Sequence, residues 1–409
     1  MSAAGSVVVM KFGGTSVADA AGRESLARRV LATIEAGSAP VVVVSAMGRA
    51  GAPYATDTLL GLVAGLPADV REHDLLASVG ELVSAVVVAH ELRAAGIDAV
   101  ALSGAEAGIM ADGVHGSATV TAIDTAALAE LLDLGRIPVV AGFQGLGPDG
   151  SICTLGRGGS DTTACALGVA LGAEAVEIYT DVDGVMSTDP RTCDGATVLE
   201  VIGAEELFQL AQHGSKVVHR PAAELALGSG IALRVRNTFS AHPGTLVADL
   251  SGYSPAGVAT AVTHSIGIAR VTVTLPGEEG GGEHMAAQSR VYRAMADAGI
   301  SLDMFTPARG CLVFTVPEAS VGDAEAVLKG TGLACDVLPS LAKVTLVGAG
   351  MHGVPGVMAS VAEHLAAASV HVLQTADSHT TISVLIPGAE ADTAVRALHD
   401  GFGLDAGSC

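Results

Sequence analysis

Short apolar runs rich in valine alternate with alanine-rich stretches through the first half of this chain. The apolar runs are VVVMKF at residues 7–12, VVVVSAMG at 41–48, IPVVAGFQG at 137–145 and AVEIYTDVDGV at 175–185, and a helical stretch extends from Arg23 to Ala36. Strands that alternate with helices form a mostly parallel sheet that is covered on both faces. Because ligands bind at the carboxyl ends of the strands in such sheets, we expect functional residues in the loops after these runs.

The pattern changes in the second half of the chain. A turn-rich segment from Asn237 to Val258 ends the first region. Two shorter units follow, each with the order strand, loop, helix, strand, strand, which indicates a weak internal repeat of ferredoxin-like length. We therefore predict an α/β domain at residues 1–248, a linker at 249–263, and two sister modules at 264–338 and 339–409 that can interleave.

Composition and charge exclude several classes of function. The chain has 409 residues and a formal charge of −22, which opposes binding to nucleic acid. It has no uninterrupted apolar stretch of the roughly 20 residues that a bilayer span needs, and no basic segment precedes the first apolar run. We therefore expect no membrane partner and a cytoplasmic location. The cysteines and histidines show no ligand spacing, so no resident metal site is expected.

The segment Lys11-Phe12-Gly13-Gly14 follows the first predicted strand. Two glycines allow the backbone to approach a phosphate closely, and Lys11 can place a cation on a transferring phosphoryl group. It is not a Walker A sequence, because the lysine precedes the glycines. The alternative is an ordinary tight turn between a strand and a helix.

A second glycine-rich segment, TLGRGGSDTT at residues 154–163, opens onto a helix of small residues. Its two adjacent glycines supply backbone amides for an anion, Arg157 offers a bidentate fork for a carboxylate, and Asp161 can orient neighbouring groups. This combination suits an anionic substrate that lies beside a phosphate. The alternative is a loop in which Ser160 or Asp161 caps the helix.

Other polar residues are weaker candidates. Thr180, Asp181 and Arg191 follow the strand that begins at residue 175 and could line a nucleotide site. Lys216 enters an apolar helix, where a solvated surface lysine is the simpler interpretation. Glu81 begins a long apolar helix, where it could stabilise the helix dipole or bind an ammonium group.

In combination, these motifs resemble the aspartate kinases of the amino acid kinase family. The resemblance covers nearly the whole chain through KFGGTSVADA, VVVVSAMGRAGAPYATDTLLGL, SVGE, VVAGFQG, TLGRGGSDTTA, YTDVDGVMSTDPR, GSKVV, LRVRNTF, HPGTLV and KVTLVGAGMHGVPGV. GRAGAPYATDTLLGL and LQTADSHTTISVL are most similar to the subclass that meso-diaminopimelate inhibits. The resemblance implies a three-layer α/β/α kinase domain with a mostly parallel sheet, followed by two ferredoxin-like ACT domains that bind an effector amino acid and build a homodimer.

The implied reaction is transfer of the γ-phosphoryl group of ATP, bound with Mg²⁺, to the β-carboxylate of L-aspartate. This is the first step towards lysine, diaminopimelate, threonine and methionine. The resemblance implies that Lys11, Asp161 and Lys216 are catalytic. Residues implied to bind ATP are Lys11, Gly13, Gly14, Ser45, Thr180, Asp181, Arg191, Lys216 and Val217. Residues implied to bind aspartate are Thr56, Glu81, Arg157 and Ser160.

The resemblance also implies an effector site in the second module. Its residues are Met351, His352, Gly353, Val354, Gln374, Thr375 and Asp377. meso-Diaminopimelate is the favoured effector, because many lysine- or threonine-sensitive relatives carry a different segment where this chain has QTADSH. Lysine and threonine stay as alternatives.

Three alternatives remain at this point. The first is another member of the same kinase family, acting on acetylglutamate, glutamate or uridylate, or a paralogue in a specialised pathway. An acid at Glu81 has no use opposite the blocked amine of acetylglutamate. The second is a catalytically silent amino-acid sensor, whose signature would be loss of Lys11, Arg157 or Asp161, and all three are present. The third, a structural scaffold, leaves the two glycine loops unexplained.

Overall fold

A computed structural model describes residues 5–67, 69–213, 219–248, 257–351 and 353–405. The chain divides into two compact units. The first unit comprises the described residues within 1–185, 198–211 and 216–253, and the second comprises those within 186–197, 212–215 and 254–409. The segment at 186–197 therefore belongs to the second unit although it lies between two parts of the first.

An eight-stranded sheet forms the centre of the first unit. Its strands, in spatial order, are β10 (Val201–Gly203), β12 (Thr245–Ala248), β11 (Ala232–Asn237), β9 (Ala175–Thr180), β1 (Val7–Phe12), β2 (Ala39–Val44), β6 (Ile137–Ala141) and β3 (Ala99–Leu102). All neighbours pair in parallel except β11 and β12. The predicted mostly parallel sheet is confirmed.

Eight helices belong to the described part of this region. They are α1 (Gly14–Val17), α2 (Ala20–Glu35), α3 (Thr56–Gly61), α4 (Val70–Ala94), α5 (Ala126–Asp133), α6 (Gly159–Leu171), α7 (Ala204–His213) and α8 (Arg220–Gly228). Small residues allow α6 to approach the sheet closely, since a Cβ at Gly168 would lie 2.5 Å from Val176 Cγ2. Asp69 caps α4 by accepting hydrogen bonds from the amides of Arg71 and Glu72.

Helix α4 is long and apolar enough to cross a membrane by length and composition alone, and half of its most apolar window is buried in the protein. Ala85, Val88 and Leu92 of this helix pack in one core with Met10 and Phe12 of β1. Core helices of globular proteins carry the same apolar composition as membrane spans. Helix α4 is therefore a core helix that covers one face of the sheet.

A second, smaller sheet of the first unit was not predicted from the sequence. It has the order β5 (Val120–Ile123), β4 (Ile109–Ala111), β7 (Gln144–Leu146) and β8 (Ile152–Thr154). These strands have three or four residues each, too short for a clear alternation of apolar and polar positions. Strand β8 ends three residues before Arg157 and so leads directly into the second glycine-rich segment.

The second unit contains a six-stranded antiparallel sheet. Its order is β14 (Asp303–Ala308), β15 (Cys311–Pro317), β13 (Ala261–Thr274), β16 (Cys335–Val347), β18 (Thr381–Pro387) and β17 (Gln374–Asp377). Its helices are α9 (Gly282–Asp297), α10 (Val321–Gly330), α11 (Val357–Ala367) and α12 (Ala391–Gly401), with short 3₁₀ helices at Glu318–Ser320 and Gly388–Glu390.

Strands β13 and β16 are shared by two hydrophobic cores. Val271 and Val273 of β13 pack in the core that contains α9 and α10, whereas Val262, at the start of the same strand, packs in the core that contains α11 and α12. Residues of one strand, β13, thus contribute to both cores. The domain boundaries at 264 and 339 stay a prediction, and residues 249–256 of the predicted linker lie outside the described residues.

Candidate active site

The loops after β1, β2, β6 and β8 meet at one edge of the first unit and line an open cavity of 630 Å³, which we call the loop cavity. One face of α4 closes its side. The predicted site residues that line it are Lys11, Gly14, Ser45, Thr56, Glu81, Arg157, Ser160 and Asp161. The structure thus brings together residues that are up to 150 positions apart in the sequence.

The first glycine-rich turn holds a lysine and an aspartate together. Lys11 Nζ lies 2.6 Å from Asp161 Oδ1, and both side chains are nearly buried. The Lys11 ammonium also lies next to Gly13, where an added Cβ would be 3.8 Å from Nζ. The backbone of Gly13 is fixed by a 3.1 Å hydrogen bond from its N–H to the carbonyl of Tyr179. The ammonium is therefore held at a fixed position at the end of β1.

Gly14 is required for the close approach of two loops. A Cβ at this position would lie 2.7 Å from the carbonyl oxygens of both Ala46 and Gly48, a distance that no side chain tolerates without movement of the backbone. The amide of Gly48 donates to the carbonyl of Gly14 at 3.0 Å. The turn after β1 is therefore locked against the loop after β2.

The second glycine-rich segment starts helix α6. Gly158 caps this helix with φ of 71°, in the left-handed region, and a Cβ there would lie 2.2 Å from Cγ of His219. Ser160 and Asp161 are buried in the first turn, whereas the Arg157 side chain is exposed and lines the loop cavity. Among the described residues, Arg157 forms no ion pair.

Glu81 is the most perturbed acid in the cavity. Its side chain is buried, Oε1 accepts a hydrogen bond of 3.1 Å from the amide of Ala46, and Oε2 has no hydrogen-bond partner among the described residues. Burial raises the pKa of Glu81 to about 7, and the Ala46 hydrogen bond opposes this only partly. Oε2 is thus a buried acceptor that a cationic group of a ligand could satisfy.

The predicted nucleotide residues are dispersed. Thr180 ends β9 and Asp181 follows it at the same sheet edge. Asp181 is paired at 2.7 Å with Arg49, which lines the loop cavity. Arg191 belongs to the segment that packs with the second unit, where it pairs with Asp189 at 2.6 Å. The predicted residues Lys216 and Val217 lie outside the described residues.

The structure adds residues that sequence reasoning missed. Arg49 lies in the GRAGAPYATDTLLGL segment, but sequence reasoning gave it no role, because its partner Asp181 is 132 positions away. Phe143 lines the cavity with φ of 69°, unusual for a residue other than glycine, and its amide donates to Thr163 Oγ1 at 3.1 Å. Asp74 lies on the face of α4 that carries Glu81, and the seven-residue spacing on one helix was a signal that could have identified it.

A second cavity, of 350 Å³, lies within the second unit, and we call it the ACT cavity. Of the predicted effector residues, Met351, Gly353, Val354, Thr375 and Asp377 line it. Gln374 is not among the lining residues: its amide nitrogen donates to the carbonyl of Met304 and to Thr306 Oγ1, which ties β17 to β14. His352 lies outside the described residues.

Comparisons with known families match both parts of the chain. Residues 6–237 match the model of the amino acid kinase family, and residues 337–400 match a model of the ACT domain. The first match includes every residue that lines the loop cavity, and the second runs from within β16 to within α12 of the second unit.

Comparisons with individual proteins extend over nearly the full length. The chain is 42% identical to Aspartokinase 1 of Bacillus subtilis over 406 residues, covering 97% of this chain and 99% of the relative. It is 38% identical to an aspartokinase of Thermus thermophilus over 416 residues, 98% of this chain and 99% of the relative. A crystal structure of Escherichia coli aspartokinase III in complex with aspartate and ADP is similar with a TM-score of 0.75 and 26% identity, covering 97% and 100% of the two chains.

Proposed function

The chain belongs to the aspartokinases of the amino acid kinase family, ATP-dependent kinases that act on aspartate, and we propose that the loop cavity is the site where it performs this reaction. The resemblance inferred from the motifs is thereby confirmed. One observation carries the proposed site. Glu81, whose buried Oε2 has no hydrogen-bond partner within the described part of the chain, and Arg157, which forms no ion pair there, line the same cavity as the Lys11 ammonium.

L-Aspartate presents one ammonium and two carboxylates. The ammonium would donate a hydrogen bond to Glu81 Oε2 and would favour the ionised form of the carboxylate. The buried oxygen would then have a partner. Arg157 would bind the α-carboxylate with its bidentate fork, and the hydroxyls of Thr56 and Ser160 would complete the shell. This orientation leaves the β-carboxylate directed towards Lys11 and the end of β1.

The phosphoryl transfer needs alignment and charge neutralisation. An oxygen of the β-carboxylate attacks the γ-phosphorus, and the bond from that phosphorus to the bridging oxygen of ADP breaks. The carboxylate is already an anion at neutral pH, so no general base is required. Lys11, held by Asp161, would neutralise charge on the transferring group. The amide of Gly14 would donate to the phosphates, and Gly13, whose own N–H donates to Tyr179, would let the phosphates approach the backbone closely.

The nucleotide is proposed to enter with Mg²⁺, which would neutralise the β- and γ-phosphates. The buried Asp161 carboxylate offers the oxygen ligand that Mg²⁺ prefers, and this ion takes few protein ligands when phosphates are present. Ser45, Thr180 and Asp181 are proposed to contact the nucleotide from the first unit. Arg191, Lys216 and Val217 keep this role as proposals from the resemblance alone.

Hydroxylamine trapping of the acyl phosphate tests the site. Wild-type protein with Mg-ATP and L-aspartate should form aspartyl hydroxamate. Arg157→Ala should raise KM for aspartate about a hundredfold or more, and Arg157→Lys should restore only part of this, because lysine cannot form the bidentate pair. Arg28→Ala is the matched control, since Arg28 is exposed and pairs with Glu24 on α2. Equal KM values for aspartate in all four proteins would contradict the assigned site.

The ACT cavity is proposed to bind the feedback amino acid, with meso-diaminopimelate favoured and lysine or threonine as alternatives. Asp377 and Ser378 provide polar groups for an ammonium, and Met351, Val354 and Met358 provide an apolar wall. We further propose a cytoplasmic homodimer assembled through the ACT domains. Hydroxamate formation measured with each of the three amino acids would identify the effector, and sedimentation would test the dimer.

A further inference from the structure

Asp74 is a buried carboxylate whose oxygens are saturated with hydrogen bonds. Its exposure is 2%, and it accepts from His115 Nδ1 at 2.7 Å, from the amide of Gly116 at 3.0 Å, and from Thr154 Oγ1. A carboxylate only accepts, so His115 carries its hydrogen on Nδ1. Three donors, of which the Gly116 amide is shared between both oxygens, compensate for the desolvation of the charge, and their hydrogen bonds fix all three residues relative to α4.

The partners of Asp74 shape the turn that carries Arg157. Thr154 ends β8, three residues before Arg157, and its carbonyl accepts from the amide of Ala118 at 2.9 Å. The loop at Gly116 packs on the same turn, since a Cβ at Gly156 would lie 3.3 Å from the Gly116 carbonyl. Asp74 therefore clamps both chain segments that support Gly156, the residue immediately before Arg157.

The same helix carries Glu81 on the same face. Asp74 and Glu81 are seven residues apart, which is two helical turns or about 10 Å along the axis. Through Asp74, helix α4 thus fixes the turn of Arg157 at a set distance from its own Glu81. In the proposed function these two residues bind the α-carboxylate and the α-ammonium of one amino acid, whose separation is fixed by its covalent structure.

We propose that Asp74 is a positioning residue that sets the spacing between Glu81 and Arg157 and so determines the affinity for aspartate. This inference rests on the proposed function of the loop cavity. It predicts a selective effect. The affinity for the amino acid falls when the hydrogen bonds of Asp74, which we call the clamp, are broken. The glycine-rich turn after β1 is unaffected, because Asp161 and the loop of Gly48 hold it in place.

Steady-state kinetics of four variants test the proposal. Asp74→Asn and Thr154→Val should each raise KM for aspartate about tenfold or more, with kcat and KM for ATP within about threefold of wild type. Thr154→Ser keeps the hydroxyl and should therefore have a KM for aspartate close to that of wild type. Asp98→Asn is the control, because Asp98 is an exposed acid paired with Arg136 and lies outside the loop cavity.

The double variant of Asp74→Asn and Thr154→Val should show a KM for aspartate no higher than the worse single variant, because both changes break one clamp. A merely structural role would give a lower melting temperature with unchanged KM for aspartate, and this result would overturn the proposal. If Asp74→Asn fails to fold, the comparison of Thr154→Val with Thr154→Ser tests the proposal instead. Equal KM values for aspartate in these two variants would overturn the proposal.

Failure of the proposed function gives a different pattern. If Arg157→Ala leaves KM for aspartate unchanged, the loop cavity assignment fails as a whole. If Arg157→Ala raises this KM but Asp74→Asn and Thr154→Val do not, the site stands and only the positioning role of Asp74 is refuted.

Discussion

Replacement of Glu81 by glutamine should make the folded protein more stable and the enzyme less active. Burial raises the pKa of Glu81 from its usual 4.5 to about 7, so the folded state disfavours the carboxylate relative to the unfolded chain. A raised pKa contributes stability that is fully present below the unfolded value and is lost as pH rises through the folded value. At pH 8 the ionised Glu81 is therefore a destabilising group, and a neutral glutamine is not.

The magnitude follows from the pKa. A difference between 4.5 and about 7 corresponds to about 3 kcal/mol at roughly 1.4 kcal/mol per pH unit. Glu81→Gln should therefore gain up to about 3 kcal/mol of unfolding free energy at pH 8, and the gain should disappear near pH 4, where Glu81 is protonated in both states. The amide keeps an acceptor for the N–H of Ala46, so no other contact in the cavity is lost.

Urea unfolding at pH 8, 6 and 4, in the absence of ligands, measures the effect. Steady-state kinetics with aspartate measure the effect of Glu81 ionisation on activity. In wild type, kcat/KM for aspartate should fall as pH drops below about 7. Glu81→Gln should show a low kcat/KM that does not depend on pH in this way. The control is Glu24→Gln, an exposed acid on α2. The reasoning is refuted if the stability difference between Glu81→Gln and wild type is the same at all three pH values.

Further predictions concern the other parts of the protein. Lys11→Ala should lower kcat at least about a hundredfold, because it removes a cation aimed at the transferring group; wild-type kcat in the hydroxamate assay would contradict this. Gly14→Ala should lower the unfolding free energy by about 1–3 kcal/mol, because its Cβ meets two carbonyl oxygens at 2.7 Å; an unchanged urea midpoint would show that the turn relaxes freely. Asp377→Asn should weaken feedback inhibition about tenfold without a change in uninhibited kcat, and Asp323→Asn on α10 should behave as wild type; equal inhibition constants would remove Asp377 from the effector site.

The central sheet and much of the loop cavity were predictable because they follow from local patterns. Valine-rich runs with buried side chains indicate parallel strands, and polar residues after those runs must meet at one edge of the sheet. Lys11 and Asp161 are 150 positions apart, yet Lys11 lies near the end of the valine-rich strand β1, and Asp161 lies in the first turn of α6. Their 2.6 Å contact is a consequence of the topology.

The remaining features depend on contacts that no local pattern records. The small sheet consists of strands with three or four residues. The segment at 186–197 packs with the second unit because the buried His399 contacts Ser187 Oγ at 2.9 Å and lies near Cys193 Sγ at 3.6 Å. More than 200 positions separate these residues, and neither serine nor cysteine carries a signal for such a distant histidine.

The charge of the protein explains the arrangement of cations in the loop cavity. A chain with a formal charge of −22 repels anionic substrates, so each cation in the cavity must be placed and oriented. Lys11 is held by Asp161, and Arg49 is held by Asp181. Each of these pairs fixes a cation but also neutralises part of its charge.

Arg157 differs from both, because among the described residues of this cavity it is the cation that lacks an acidic partner. Its full charge is available to a ligand, and its turn is supported by backbone contacts at Gly156 and by the clamp of Asp74. These contacts are made to the turn and not to the guanidinium of Arg157, so they preserve the charge that an ion pair would partly cancel. This division suits the reaction, since the held lysine needs a fixed position beside the phosphates, whereas the arginine must bind a carboxylate from solution with its whole charge.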